Sequence, residues 1–505
     1  AHAVTPILRS GRVHIPNKWF AKELINECLA FPNYSHDDLC CHPDTSITVT
    51  TPAIIKPIRD IKPGDSVLTD KGRYRTVLKT YERDYEGDMV NFKPSGRHHI
   101  VVTPNHPVLA ADVRPYFDTA NKDFYTDLSQ FSWKPAGELK KGDVVLEPVI
   151  TDCEDMDQID LLDYLSEDTK NNFACSPRAK MNLRGVSFDD THIWSNNPRG
   201  KRINRFIPVN EDFCRLIGYY LSEGSCGKHT ISFAFNTKET DYHKDVTNLF
   251  QTLFGVEIKG RLAKNSPNCT NLSVTSVLLR EFFKTFVPGV SHTKVIPNLF
   301  FKLPLNKQRG LLQGLFRGDG NIDPTKRDAG FVSSSRSLVE GVVQLLLRQR
   351  ILCNLTVGRK NGGTYTINGK QGNQRPLYML SINNLNKVKF YNLLGVNGYT
   401  FNKPNLRKCS SWFIGDYVAR TVREISIEPY TGKVFNLEVD EDHTYLTEGI
   451  ITHNCDTLTQ TLLYLRDTFD MSSNKWAGEI EEDLDAKPKY STGKATYWSL
   501  VTGNV

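Results

Sequence analysis

The sequence predicts a multidomain protein in which an all-β domain, split into two segments, is interrupted by an α+β domain made of two pseudo-symmetric repeats. The chain has 505 residues, which is too long for one hydrophobic core. Short strands separated by turns fill residues 40–150 and return in residues 411–454, whereas helices and strands alternate in residues 205–410. The two flanks, residues 1–39 and 455–505, are predicted to be short and rich in helix.

The first β segment contains a duplicated unit. Residues 58–68 read IRDIKPGDSVL and residues 135–146 read PAGELKKGDVVL, each with a Gly-Asp turn before an apolar strand. Such a repeat predicts a pseudo-symmetric all-β domain.

The central region contains a second repeat. A helical segment, residues 213–221, leads into Ser-Glu-Gly, and another, residues 311–316, leads into Gly-Asp-Gly. The acids Glu223 and Asp319 are 319 − 223 = 96 residues apart, and a strand and an amphipathic helix follow each of them. Residues 151–204, which include the acidic stretch 152–163, are predicted only as a linker or subdomain.

Charge is concentrated in the central region. Residues 201–410 contain 31 Lys and Arg against 12 Asp and Glu, which gives +19. The whole chain carries +6, so the remainder carries 6 − 19 = −13. A surface this basic on an otherwise globular segment predicts binding of a polyanion, and nucleic acid is favoured over a merely solvated face.

Composition excludes several classes of protein. Hydrophobic residues make up 39% and charged residues 24%, as in soluble globular proteins. No apolar stretch approaches the ~20 residues of a membrane span, and no signal-like segment begins the chain. The 11 cysteines include no CxxC pair, which argues against a zinc ribbon. We therefore expect a cytoplasmic protein without a membrane partner.

Four ordered motifs resemble those of inteins, the self-splicing protein segments. Cys40 is followed by Asp44-Thr45, a TxxH motif occupies residues 103–106, and residues 434–454 end in His-Asn with Cys455 next. The resemblance covers 454 − 40 + 1 = 415 residues. It implies the pseudo-symmetric all-β Hint fold, assembled from residues 40–150 and 411–454.

The resemblance implies the chemistry of the first junction. The thiol of Cys40 would attack the Leu39 carbonyl and convert the peptide bond into a thioester. Thr103 and His106 would polarise that bond as hydrogen-bond donors. Cys455 would then take over the acyl chain.

The second junction would be cut by Asn454, whose side-chain amide attacks its own carbonyl and forms a succinimide. His443 and His453 would assist as donors or acid–base groups. Excision of residues 40–454 would ligate Leu39 to Cys455 without a cofactor. A hedgehog-type domain that cleaves itself without ligation is the nearest alternative, and the Asn454-Cys455 pair argues against it.

Two positions depart from the intein pattern. Cys41 is also a thiol, but the Asp-Thr pair stands four residues after Cys40, as the family requires. Asn436 stands where many inteins have an acid or a cysteine, and Asp440 or Asp442 could substitute for it.

The repeated helical motifs resemble those of LAGLIDADG homing endonucleases. In that family small residues, here Gly218 and Gly314, let two helices pack closely. Glu223 and Asp319 would then hold Mg²⁺ between the scissile phosphates of double-stranded DNA, within a monomer. Lys294 matches a basic position and would stabilise phosphate charge. A decayed endonuclease that still binds DNA, or a DNA-binding protein with all of its catalytic sites inactive, is the alternative.

The flanks resemble part of the nuclease domain of phage terminase large subunits, the DNA-packaging motors. Removal of the central segment would join 39 and 505 − 454 = 51 residues and create the sequence HDDLCD from residues 36–39 and 455–456. Asp37, Asp38 and Asp456 would then bind Mg²⁺ in the host nuclease. The spliced product would join a packaging complex in the cytoplasm of a bacterial host cell, encoded by a phage or prophage.

Overall fold

The computed structural model describes residues 40–50, 54–113, 116–118, 123–166, 185–196, 200–263, 266–322, 329–359, 364–367, 370–382, 386–396 and 410–454. Both flanks lie outside the described residues. Within the described ranges, no helix has the length and apolar character needed to cross a membrane.

The described part of residues 40–150 forms mostly short strands, as predicted, and one long strand, Tyr74–Pro94. The strands are β1 (Ser46–Thr48), β2 (Ile55–Pro57), β3 (Ser66–Leu68), β4 (Tyr74–Pro94), β5 (Ile100–Val102), β6 (Pro107–Ala111), β7 (Tyr116–Asp118), β8 (Asp123–Tyr125), β9 (Ser132–Pro135) and β10 (Val144–Pro148).

The duplicated unit folds the same way twice. In each copy a one-turn 3₁₀ helix precedes the Gly-Asp turn and a strand follows it, β3 in one copy and β10 in the other. Lys56 Nζ lies 2.7 Å from Asp65 Oδ2, and Lys134 Nζ lies 2.7 Å from Asp143 Oδ2. The sequence repeat therefore extends to an equivalent ion pair in each half of the domain.

The described part of residues 151–208 packs against the central region. Its strands are β11 (Gln158–Asp160), β12 (Val186–Phe188), β13 (His192–Ser195), β14 (Ile203–Asn204) and β15 (Phe206–Pro208). β11 pairs with β15, which crosses the boundary that the sequence suggested between residues 204 and 205. The ring of Tyr164 also packs edge-on against Phe282 and Phe286. This segment is not a free linker, because its strands and side chains are built into the central region.

The central region contains two copies of one α+β unit, as the repeat predicts. The first comprises α1 (Glu211–Glu223), β16 (Gly224–Cys226), β17 (Thr230–Asn236), α2 (Thr240–Phe254), β18 (Lys259–Ala263), β19 (Ser266–Thr275) and α3 (Val277–Phe286). The second comprises α4 (Leu299–Lys302), α5 (Leu305–Asp319), β20 (Gly320–Asn321), β21 (Gly330–Ser333), α6 (Arg336–Arg348), β22 (Cys353–Arg359), β23 (Thr364–Ile367), β24 (Lys370–Asn373), β25 (Leu377–Ile382) and α7 (Lys387–Leu394). The four-stranded sheets have matching orders, β16-β17-β19-β18 and β20-β21-β25-β22.

The last segment rejoins the first β segment. Its strands are β26 (Ser411–Ile414), β27 (Tyr417–Val439), β28 (Thr444–Thr447) and β29 (Ile450–His453). They belong to one twelve-stranded sheet with the order β2-β1-β28-β29-β6-β10-β27-β4-β3, to which β26, β5 and β9 add. The long strands β4 and β27 pair from Val77–Val439 to Pro94–Val422. Residues 40–150 and 411–454 therefore build a single β domain, and both ends of the segment 40–454 enter it.

Candidate functional site

Two helices of the central region touch backbone to backbone. A Cβ atom on Gly218 of α1 would lie 2.2 Å from the Leu311 carbonyl oxygen of α5, and one on Gly314 would lie 2.0 Å from the Arg215 carbonyl oxygen. No side chain fits at such distances, so α1 and α5 approach this closely only because both positions are glycine. The close approach brings the C-terminal ends of the two helices side by side.

An acid ends each of these helices. Glu223 is the last residue of α1 and Asp319 the last residue of α5. Burial, with a smaller contribution from the nearby Asp319 charge, raises the pKa of Glu223 to about 7. Burial also raises the pKa of Asp319, although part of its surface reaches solvent. Two carboxyl groups that resist ionisation at adjacent helix ends are a place where a cation would bind favourably.

Carboxylate oxygens are the ligands that Mg²⁺ prefers, so the donor chemistry of Glu223 and Asp319 fits a divalent cation. The described residues contain no group of three or more His, Cys, Asp and Glu side chains placed to hold a metal ion. Two carboxylates suffice for Mg²⁺ only when water or substrate phosphate completes its coordination.

Lys294 binds the end of helix α1, close to the two acids. Its side chain is buried, and Nζ donates to the carbonyl oxygens of Tyr220 (2.6 Å), Leu221 (3.2 Å) and Gly224 (2.6 Å). Burial lowers the pKa of Lys294 to about 8. It therefore caps the C-terminal end of α1, and it also interacts electrostatically with Asp319 and Glu223. Its predicted role toward a phosphate stays a prediction.

Asp245 of α2 is a residue that sequence reasoning missed. Its carboxylate accepts hydrogen bonds from Arg215 Nε (3.0 Å), Tyr219 OH (3.0 Å) and Arg317 Nη1 (3.1 Å). It thereby links α1 to α5 one turn before the two acids. No local pattern could identify it, because its partners are 26 to 72 residues away in the chain.

In the β domain, Thr103 holds the peptide group of Cys40. The Cys40 amide nitrogen donates to Thr103 Oγ1 (3.0 Å), while the Thr103 nitrogen donates to the Cys40 carbonyl (2.9 Å). Cys40 is buried against Met89 and Val434. The amide nitrogen of the first predicted junction is therefore fixed by the residue that the TxxH motif indicates.

His106 and Cys41 lie together in the interior. His106 Nε2 is 3.9 Å from Cys41 Sγ, and Tyr445 OH is 3.5 Å from the same sulfur. Burial raises the pKa of the Cys41 thiol to about 12. A thiol that stays protonated is a poor nucleophile, which favours Cys40 over Cys41 as the attacking residue.

At the other end of the segment, the backbone of His443 holds Asn454. The Asn454 nitrogen donates to the His443 carbonyl (3.0 Å). When the Asn454 amide is oriented with its nitrogen toward the same carbonyl, that nitrogen donates to it (2.7 Å) and the amide oxygen accepts from the Val439 nitrogen (3.3 Å). His443 has a positive φ of 52°, an uncommon conformation that turns its carbonyl toward Asn454.

His453 contacts the carbonyl of the second predicted junction. Its Nδ1 lies 2.7 Å from the Asn454 carbonyl oxygen, so the tautomer protonated at Nδ1 donates to that oxygen. Burial lowers the pKa of His453 to about 4, and the ring rests edge-on against Trp133. The imidazole is therefore neutral near pH 7 and acts through its orientation rather than through charge.

Asn436 and Asp442, two residues of the closing motif, have different hydrogen-bond partners. Asn436 is buried, and its Oδ1 accepts from Tyr445 OH at 2.8 Å. Asp442 is bound by Thr69 Oγ1 (2.7 Å) and by Arg73, which keeps the pKa of its carboxyl low. Asp442 is therefore an ionised carboxylate held by its partners, and the substitution of Asp440 or Asp442 for an acid at position 436 stays a prediction.

The remaining sequence-predicted site residues, Cys455, Asp37, Asp38 and Asp456, lie outside the described residues.

Comparison with known proteins identifies part of the chain. Residues 306–395 match the family model of a LAGLIDADG-like domain. The uncharacterised protein MJ0043 of Methanocaldococcus jannaschii is 29% identical, over 88% of this chain and 54% of its own length. The ATP-dependent DNA helicase Hel308 of Thermococcus kodakarensis is 26% identical, over 90% of this chain and 40% of its own length. This chain thus spans about half the length of the curated relatives that it matches.

A solved structure of I-DmoI in complex with DNA and calcium is 14% identical, with a TM-score of 0.28, over 38% of this chain and 94% of that one. The sequence match, rather than this superposition, identifies the region. Residues 306–395, which include most of α5 with Asp319 and all of α6, are similar to a LAGLIDADG-like domain.

Proposed function

We propose that residues 40–454 excise themselves from the chain and ligate Leu39 to Cys455. The observation that carries this proposal is that both ends of a 415-residue segment enter one sheet, with β1 pairing β28 and β29 pairing β6. At each end of the segment, the thiol, hydroxyl, imidazole and amide side chains described above lie close to the peptide bond that would rearrange. The match to a helicase over less than half of that protein also agrees with a segment carried within a larger host.

At the first junction, the Cys40 thiol loses its proton and its sulfur bonds to the Leu39 carbonyl carbon as the C–N bond breaks. The freed nitrogen of Cys40 takes up a proton and remains held by Thr103 Oγ1. Cys455 sulfur then displaces Cys40 sulfur from the acyl carbon. His106 is a candidate donor of the proton that the Cys40 nitrogen takes up, since the His106 backbone nitrogen donates to the carbonyl of Thr103 (3.0 Å), the residue that holds the Cys40 nitrogen.

At the second junction, the Asn454 side-chain nitrogen attacks its own carbonyl carbon and loses a proton, the bond to the Cys455 nitrogen breaks, and that nitrogen takes up a proton to become an amine. Negative charge that develops on the carbonyl oxygen is stabilised by His453 Nδ1–H. The Nδ1 atom of His443 is buried without a hydrogen-bond partner among the described residues, and it is a candidate acceptor for the amide proton. The new amine finally attacks the thioester and leaves a Leu39–Cys455 peptide bond.

Intact mass of the expressed chain tests splicing, with Cys40→Ala and Asn454→Ala as inactivated forms. We expect a 415-residue and a 90-residue product from the parent and no ligated product from either variant. Cys41→Ala is the matched control and should still splice. A free 39-residue fragment without ligation would indicate hedgehog-type cleavage, and a stable 505-residue parent would refute self-processing altogether.

We also propose that the central region cleaves double-stranded DNA at a specific site as a monomer. The raised pKa values of Glu223 and Asp319 support it, as does the match to a LAGLIDADG-like domain. A bound Mg²⁺ would supply Lewis-acid stabilisation of a phosphodiester transition state at these carboxylates. The chain's own residues position the site: Gly218 and Gly314 set the helix spacing, and Lys294 fixes the end of α1.

DNA cleavage of the target region is expected to require Glu223. We expect Glu223→Gln to lower the rate at least about 10³-fold, since it removes a metal ligand at the reacting phosphate. Glu257→Gln, which changes an exposed carboxylate in the same way, is the control. Sequence-independent or unchanged cutting would refute the proposal, whereas binding without cutting by the parent would indicate a decayed nuclease.

For the host, we propose a phage terminase large subunit whose Mg²⁺ site unites Asp37, Asp38 and Asp456 only after splicing. The junction sequence HDDLCD supports it. Metal-dependent nuclease activity should require the spliced form of the whole terminase large subunit. We propose that this protein acts in the bacterial cytoplasm. The same activity in the unspliced Cys40→Ala form would contradict this arrangement.

A further inference from the structure

Helix α6 of the DNA-cleaving region begins against the β domain. Its first residue, Arg336, donates through Nη1 to Ser46 Oγ of β1 at 2.8 Å. Through Nη2 it binds the carboxylate of Glu448, and Glu340, one turn later, lies 3.8 Å away. One arginine of the insert thus contacts strands that come from both ends of the 40–454 segment.

Glu448 occupies the turn between β28 and β29, and it is tied to β1 through backbone and side chain. Its nitrogen donates to the Ser46 carbonyl (2.8 Å), and its Oε1 accepts from the Ser46 nitrogen (3.1 Å). Glu448 and Gly449 both have positive φ, 49° and 88°. A non-glycine residue in this conformation persists only where surrounding contacts hold it.

A second arginine reaches the same turn from the other side. Arg97 packs its guanidinium over Gly449, binds Glu147 of β10, and donates to Glu340 of α6 at 2.7 Å. Arg97 precedes the TxxH motif by six residues, and the Leu355 nitrogen of β22 donates to the neighbouring Gly96 carbonyl (3.0 Å). The side chains of Arg97, Glu147 and Glu340 are all buried, so these contacts are shielded from competition by water.

We infer that α6 is a positioning element of the splicing centre, in which Arg336 and Glu340 of the insert hold the turn that sets His453 and Asn454. This inference rests on the proposed splicing activity. β29 contains only four residues between that turn and Asn454. A displacement of the turn is therefore transmitted to the 2.7 Å contact between His453 Nδ1 and the Asn454 carbonyl.

The two cleavages should respond differently to the loss of Arg336. Asn454 lies on the hairpin that Arg336 holds, whereas Cys40 is fixed separately by Thr103. A misplacement of about 1 Å at a reacting group costs on the order of 10²-fold in rate. Loss of Arg336 should therefore slow cleavage at Asn454 more than thioester formation at Cys40.

The test uses the full chain with Arg336→Met in two backgrounds. In the Cys40→Ala background, mass spectrometry measures cleavage after Asn454. In the Asn454→Ala background, an added thiol cleaves the thioester before Cys40, and the released fragment is measured. We expect the first rate to fall at least about ten-fold and the second by less than about three-fold. Arg348→Met is the matched control, because Arg348 lies at the far end of α6 and donates to backbone carbonyls such as those of Ile150 and Asp152.

Rescue separates positioning from a general loss of stability. Arg336→Lys should recover part of the rate, and the reversed pair Arg336→Glu with Glu448→Arg should recover more than either single change. If Arg336→Met fails to fold, the Lys variant and the reversed pair decide the question. An Arg336→Met rate equal to that of the parent, equal slowing by Arg348→Met, or a reversed pair no faster than its single changes would overturn the inference. A Cys40→Ala parent that never cleaves at Asn454 would instead refute the proposed splicing, and the inference with it.

Discussion

Burial changes the protonation of polar groups in both the paired helices and the β domain, but with different consequences for the two sites. At the ends of α1 and α5, burial opposes the ionisation of Glu223 and Asp319, so the fold keeps two carboxyl groups in an unfavourable place. In the β domain, burial keeps Cys41 and His453 neutral, with pKa values of about 12 and 4. Under the functions proposed above, the first site would be completed by a cation, whereas the second would act through neutral groups that are already hydrogen-bonded in place.

This difference indicates where each region is sensitive. The helix pair depends on spacing, because two carboxylates bind one cation only when the helices nearly touch. The β domain depends on orientation, because a neutral imidazole stabilises charge only along its N–H direction. A substitution that changes the helix spacing should therefore affect only the helix pair, and one that removes an oriented hydrogen-bond donor should affect only the β domain.

The largest effect is expected from Gly314→Val. Its side chain would overlap the Arg215 carbonyl, since even a Cβ atom lies 2.0 Å away. We expect a loss of more than about 4 kcal/mol in unfolding free energy and loss of DNA cleavage. Urea unfolding, followed with hydrogen exchange of α1 and α5, measures it. Gly260→Ala, which meets only the ends of two side chains, is the control. Parental stability of the valine variant would contradict the backbone contact.

A smaller effect is expected from His453→Ala in the β domain. Loss of the donor to the Asn454 carbonyl should slow cleavage after Asn454 about 10²-fold, as when one oxyanion donor is removed. Thiol-released cleavage before Cys40 should be nearly unchanged. Mass spectrometry of both reactions measures this split, with the exposed His99→Ala as control. Equal slowing of both cleavages would indicate that His453 supports the fold rather than the reaction.

The sequence predicted the features that repeat or that follow a short motif. The matched acids at positions 223 and 319 and the duplicated β unit were found as sequence repeats. The glycines between the helices and the pairing of Thr103 with Cys40 were expected from the resemblance to two families. Each of these features belongs to a motif of about ten residues, even where its partner is distant in the chain.

Features made by distant partners could not be predicted. The cap that Lys294 forms on α1 joins residues 70 to 74 apart, and the contact between Arg336 and Glu448 joins residues 112 apart. A single arginine or lysine carries no signal of its partner, since charged residues are usually solvated on the surface. The pairing of β11 with β15 was missed for the same reason, because these short strands pair across the suggested boundary.

The smallest expected effect concerns the folding stability of the helix pair and its dependence on pH. Glu223 has a pKa near 7 in the folded chain and 4.5 as its ordinary value, so the folded state holds its proton more tightly. Its contribution to stability is therefore fully present below pH 4.5 and is lost as pH rises through 7. Glu223→Gln mimics the protonated form and avoids this loss. Without divalent cation, the variant should exceed the parent at pH 8 by about 1–3 kcal/mol and match it near pH 4.5.

Urea unfolding of both proteins across this pH range measures the difference, with Glu257→Gln as the control for a changed carboxylate. Added Mg²⁺ should raise the stability of the parent at pH 8 and leave the variant nearly unchanged, since binding to the folded state alone stabilises it. A difference between parent and variant that does not grow with pH would mean that the Glu223 carboxyl ionises freely. In that case the proposed contrast between the helix pair and the β domain would be wrong, because burial would not oppose the ionisation of Glu223.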